Sequence, residues 1–255
     1  MPSIRSLLIA GALCAAGTLG SIAEAQMPAA QGKAEFPSGL VTDFLAAEHY
    51  AFTEAEQAGI RQLIEVSHQA VQAEFPDLPD TIRFTITPSD RSMDQVGGSS
   101  GRADARDAIA IEISTRYPGG IEAVLSNSLA QTIIHELHHV VRGWTIQNNQ
   151  FGPGIDIAAV NEGLAVVFSE NLSGQAFPGN AASADAEDWA SEIRALPRDA
   201  NYGEWMFAHP DGREAIGYRT GAYLVRRAMA RSGLSIVELT RRTPDEIWEM
   251  SGLDG

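Results

Sequence analysis

The segment His135-Glu136-Leu137-His138-His139 restricts this chain more than any other. On an α-helix, residues four apart lie one above the other, so His135 and His139 can offer two imidazole nitrogens to one metal ion. Glu136 stands one position on, where its carboxylate can take a proton from a bound water. Ile133, Ile134, Leu137, Val140 and Val141 recur around the pattern at helical spacing. Neither Pro nor Gly falls between Ile121 and Arg142, and the run reads as a central buried helix.

A tetrahedral catalytic zinc takes a third protein ligand and keeps its fourth position for water. Past His139 the next acidic residues are Asp156 and Glu162. Glu162 lies in the apolar run 158–168, and burying a lone carboxylate is costly unless something pairs with it. A metal ion is such a partner; a place at the solvent edge of a core helix is the other reading. The expected ligand set is His135, His139 and Glu162 around one Zn2+ per chain, at about 2.0–2.2 Å.

The same residues carry a resemblance. His135-Glu136-x-x-His139 followed by Asn161-Glu162-Gly163-Leu164-Ala165 resembles the gluzincin metallopeptidases, in which a Glu on a second helix completes the site. The Asn-Glu-Gly-x-Ala form is similar to their aminopeptidase N-like branch. Over most of the chain the sequence more closely resembles a bacterial family of predicted zinc-dependent proteases catalogued as a domain of unknown function. Thr132-Ile133-x-His135-Glu136-x-x-His139-Val140-Val141-Arg142, then Glu162-Gly163-Leu164-Ala165, and the block 216–225 carry that likeness.

The resemblance implies a zincin-like α+β fold, a small sheet packed on the histidine helix, and a mainly helical C-terminal part. It implies hydrolysis of a peptide or protein substrate, with an edge strand of the sheet pairing the extended substrate; Ala108–Ser114 is the strand expected to do so. Tyr218-x-x-Gly221 resembles the segment that carries the oxyanion-stabilising Tyr, which gives Tyr218 that role, with Tyr223 and His209 in reserve. Two departures stand out. The Gly-x-Met-Glu-Asn exopeptidase signature is missing, and Val166 occupies the position, four after the ligand Glu, where some relatives place an acidic residue. Around the ligands, Arg142 can anchor Glu162, a substrate carboxylate or the helix C-terminus. Asn161 and His138 are candidates for contacts behind the ligands, and His138 can also compete as a ligand at i, i+3 from His135.

Residues 1–25 read as a secretory signal: Arg5 supplies positive charge, residues 7–19 a short apolar core, and Ala23-Glu24-Ala25 a small-x-small cleavage site. The run is too short for a confident membrane span. Cleavage would leave a periplasmic or secreted chain without stable membrane insertion, and would remove Cys14, the one cysteine. The mature protein then has no disulfide and no thiol nucleophile, so its stability must come from its core. About 230 residues are ample for that. The formal net charge of -15 disfavours nucleic acid and anionic membrane as partners.

Residues 26–40 read as a loose leader before a single domain over 41–255. Thr53-x-x-Glu56 is a capping box opening a helix to about Glu74. Residues 81–87 and 108–114 alternate as strands. The loop-rich stretch 171–212 holds a short helix at 186–196 and forms one wall of the cleft. Residues 215–231 and 235–250 read as two final helices, with Ser235 or Thr243 as caps.

Three rival readings use other residues. Glu65-x-x-His68 and Glu136-x-x-His139 have the spacing of di-iron carboxylate bundles, which would make an oxidoreductase. Gly97-Gly98-Ser99-Ser100-Gly101 matches G-x-S-x-G, but no apolar strand precedes it and no helix follows, so a flexible loop near the cleft is expected. The third is a non-catalytic zinc-bound module of envelope-binding or chaperone type.

Overall fold

Alternation builds the sheet. The computed structural model describes residues 39–253, and in it Ile82, Phe84 and Ile86 of β2 (Ile82–Ser89) and Ile109, Ile111 and Ile113 of β4 (Ala108–Ser114) are buried on one face. Fully burying a side chain of this size stabilises by about 1.5–3 kcal/mol. β1 (Leu40–Phe44) lies parallel to β2 and β2 parallel to β4, while β3 (Ser99–Ala105) runs antiparallel to β4. The order is β1-β2-β4-β3. The strand expected to form the edge, Ala108–Ser114, is therefore interior, and β3 is the edge in its place.

β3 takes up Ser99, Ser100 and Gly101 of the stretch read as a flexible loop. Its Ser99 hydroxyl is buried and shares a hydrogen bond of 2.8 Å with Thr132 of the histidine helix, so it stitches sheet to helix and is no exposed nucleophile.

Helices cover the sheet and continue beyond it. α1 (Glu54–Glu74) starts at the Thr53/Glu56 capping box, and its buried His68 meets the Pro79 carbonyl at 2.8 Å. α2 (Gly120–Asn127) and α3 (Leu129–Arg142) replace the single helix expected over 121–142. Ser128 makes the break: its buried hydroxyl donates to the carbonyls of Gly97 and Val124, and its backbone leaves helical geometry. Gly143, at φ 67°, ends α3 in the left-handed conformation that glycine adopts freely.

α4 (Ile155–Ser173) is buried without interruption from residue 158 to 169, as befits a helix apolar all round. Then come α5 (Ala186–Arg194), α6 (Tyr202–Met206), α7 (Ile216–Ser232), α8 (Ile236–Leu239) and α9 (Pro244–Ser251). The helix expected over 235–250 is two short ones, because Ser235 and Thr243 each open their own capping box. The architecture is α+β, with a mainly helical C-terminal part. Among the described residues no helix is long and apolar enough to cross a membrane.

Candidate metal centre

α3 and α4 meet at three donor atoms. His135 Nε2 and His139 Nε2 are 3.0 Å apart, and Glu162 Oε2 stands 3.1 Å from each. The i, i+4 spacing brings the two rings together edge to face, with centroids 4.6 Å apart and planes nearly perpendicular. Glu162 and His139 are buried, and a carboxylate there needs cationic company. Burial would raise the Glu162 carboxyl, but the charge of His139 and hydrogen bonds from His135 and His139 outweigh it and hold it far below the usual carboxylate range. Two imidazole nitrogens and one carboxylate oxygen converging within about 3 Å of one another are the donor set of a zinc site. The residues fit that ion.

Glu136 lies beside the donors, buried between α3 and β3. Burial, more than the opposing charge of His135, pushes its carboxyl up to about 7, and the backbone N–H of Ala103 holds it from the strand side. His135, Glu136 and His139 likewise bring three potential ligand atoms within 4.8 Å of one another. His68, of the Glu65-x-x-His68 pair, turns its Nε2 to the Pro79 carbonyl at 2.8 Å.

A cleft of about 1320 Å³ opens over these residues, walled by β3, by the segment 143–154 and by the stretch 198–218. Tyr218 lines it. Its hydroxyl is raised well above the ordinary value, by burial first and then by the charge of Glu162, and so stays protonated. Tyr202 was not anticipated: its hydroxyl donates to Glu162 Oε1 at 3.4 Å from a five-residue helix in a loop-rich stretch. Only its position in the folded chain marks it.

Other expected site residues lie elsewhere. Arg142 donates through Nε to Asn161 Oδ1 at 2.9 Å and through Nη1 to the Thr240 carbonyl, so it anchors α3 to α4 and α8 rather than reaching Glu162. Asn161 completes its own bonds with the Ile157 carbonyl. His138 is fully buried, meets Thr240 Oγ1 at 2.9 Å and packs on Phe168. Burial holds its pKa well below the ordinary value, so the ring is neutral and structural. Tyr223 bonds Glu187 at 2.7 Å, and His209 pairs with Asp211 at 2.8 Å against the Trp205 ring; neither lines the cleft. Behind the ligands, Val166 is buried and His139 Nδ1 has no hydrogen-bond partner among the described residues.

Residues 57–249 match the family described as "Predicted Zn-dependent protease (DUF2268)". The chain belongs to this family. Its description agrees with the zinc-type donor set on α3. No curated protein and no solved structure matches the chain, so the likeness to gluzincins and to aminopeptidase N-like enzymes rests on the motifs alone.

Proposed function

We propose that this protein is a gluzincin-type zinc peptidase in which His135, His139 and Glu162 hold one zinc ion and Glu136 is the general base. The observation that carries this reading is the Glu162 carboxylate standing 3.1 Å from both ligand imidazoles. When bound, zinc supplies Lewis acidity, polarising a peptide carbonyl and bringing a water's pKa toward neutrality. Glu136 takes the proton of the attacking water and delivers it to the leaving amine. Tyr218, kept protonated in the cleft wall, donates to the developing oxyanion.

The substrate is aligned by β3. Gly98 turns its carbonyl to Ser114 of β4, so the antiparallel alternation aims the backbone groups of Ser99, Gly101 and Ala103 away from the sheet. The Ala103 carbonyl already accepts from Ile146, which leaves the outward backbone of Ser99 and of Gly101, the latter against Glu136, for an incoming strand. Residues 1–25 lie outside the described residues; their charge and apolar order support export from the cytoplasm, which N-terminal sequencing of the exported chain tests.

Glu136→Gln decides the catalytic reading. Zinc content by elemental analysis should equal wild type while peptide hydrolysis is lost, and Glu162→Ala should lose the zinc itself. Unchanged hydrolysis in Glu136→Gln would falsify the mechanism.

A further inference from the structure

Six large hydrophobic side chains are exposed among the described residues, and four of them, Val96, Ile146, Tyr202 and Phe207, line the cleft over the metal centre. Single exposed apolar residues are ordinary, but their convergence on one concavity marks a binding surface. Ile146 is 69% exposed and Phe207 57%, more than any other large hydrophobic side chain among the described residues.

Their placement is two-sided. Val96 precedes β3, and Ile146 bonds to Ala103 near its far end, so the two mark the ends of the outward edge. Across the cleft the Phe207 ring meets Tyr202 edge-on at 5.9 Å and Tyr218 at 6.3 Å, and Tyr202 in turn reaches Glu162. Apolar surface therefore flanks the metal centre on both walls. The lining's three arginines, Arg91, Arg102 and Arg198, do not compete with it, because they pair with Glu112, Asp104 and Asp156. An acidic substrate finds no unbalanced arginine there. The cleft also exceeds the roughly 300–1,000 Å³ of small-molecule pockets, and suits a polypeptide.

We propose that this cleft selects an extended polypeptide segment bearing large apolar side chains (Leu, Ile, Met or Phe) next to the bond at the metal centre, with Ile146 and Phe207 as its specificity-determining contacts. Side chains of that kind are buried in folded proteins, so the substrates are segments free of tertiary structure. Cleavage of the segment rests on the peptidase reading above; its capture does not.

Two measurements separate these. Fluorescence anisotropy on the full-length zinc-loaded Glu136→Gln protein compares two labelled peptides of equal length and charge, one with Leu and Phe at its centre and one with Ser in their place. The apolar peptide should bind about tenfold tighter or better, and Phe207→Ser and Ile146→Ser should each remove much of that difference with zinc content unchanged. Digestion of a peptide library by the wild-type protein, read by mass spectrometry, should show large apolar residues enriched beside the cleaved bond. Equal binding of the two peptides, enrichment of charged residues at the cut, or a dimer in light scattering that buries Phe207 would overturn the proposal. Selective apolar binding without any cleavage supports it and strikes the peptidase reading alone.

Discussion

Gly101 of β3 lies directly against Glu136 of α3: a Cβ placed on Gly101 would stand 2.3 Å from Glu136 Cγ and 2.6 Å from its Oε1. The strand can approach the general base this closely because it has no side chain there. Gly101→Ala should therefore push the Glu136 carboxylate aside while leaving His135, His139 and Glu162 in place. A displacement near 1 Å at a reacting group costs on the order of 10²-fold in rate. Steady-state kinetics should show that loss in kcat, with zinc content and urea midpoint close to wild type. Wild-type kcat in Gly101→Ala would mean that the position of Glu136 does not limit the reaction.

Two more glycines explain themselves at a helix crossing. A Cβ on Gly163 would meet the Gly221 carbonyl carbon at 2.2 Å, and one on Gly221 would meet the Ala159 carbonyl oxygen at 1.8 Å. α4 and α7 thus touch backbone to backbone, one turn from Tyr218 and next to Glu162. The glycines of Glu162-Gly163 and Tyr218-x-x-Gly221 serve packing. Backbone atoms cannot swing away as a side chain can, so Gly163→Ala and Gly221→Ala should each destabilise by about 1–3 kcal/mol or somewhat more. Urea unfolding followed by circular dichroism checks this, and an unchanged midpoint in both would contradict the close crossing.

What the sequence discloses depends on how local the cause is. The histidine helix, the Thr53 cap and the alternation of Ile109, Ile111 and Ile113 are written within a few residues, and all are legible. β3 is not, because Ser99-Ser100-Gly101-Arg102-Ala103-Asp104-Ala105 has no β-branched or aromatic residue. Its extended form comes from pairing with β4 and from the Ser99–Thr132 bond to α3. Missing β3 also misplaced the sheet's edge. The break at Ser128 has the same origin, a hydrogen bond to Gly97 thirty-one positions away. Tyr202 reaches Glu162 across forty positions, and nothing in its neighbourhood of sequence announces that.

Three capping boxes contribute to the response to acid. Glu56, Glu238 and Glu246 each accept from the backbone N–H of Thr53, Ser235 and Thr243. For Glu238 and Glu246 those backbone bonds lead in lowering the carboxyl below 4.5; for Glu56, burial opposes, but bonds from Tyr50 and Thr53 prevail. A depressed folded-state pKa gives stability that is complete above the unfolded value and is lost as pH falls through the folded one. The urea midpoint should accordingly decline as pH drops from about 5 toward 3. Gln at all three positions keeps the bond and discards the charge, and should flatten part of that decline. Superimposable pH profiles for the two proteins would show that the caps hold no charge-dependent stability.

The two tyrosines around Glu162 should separate by what each loss does. Tyr202 donates to Oε1 at 3.4 Å while Oε2 faces both imidazoles, so its hydroxyl orients the carboxylate. Groups that hold a metal ligand in this way are worth roughly 10–100-fold in metal affinity. Tyr202→Phe should raise the zinc dissociation constant in a chelator competition by something near tenfold, and activity should return as zinc is added. Tyr218, assigned to the oxyanion, should behave oppositely: Tyr218→Phe keeps zinc affinity and loses about 10²–10³ in kcat at any zinc concentration. If zinc restores Tyr218→Phe and fails to restore Tyr202→Phe, the roles are reversed, and the oxyanion donor is the residue on the short α6 rather than the one on α7.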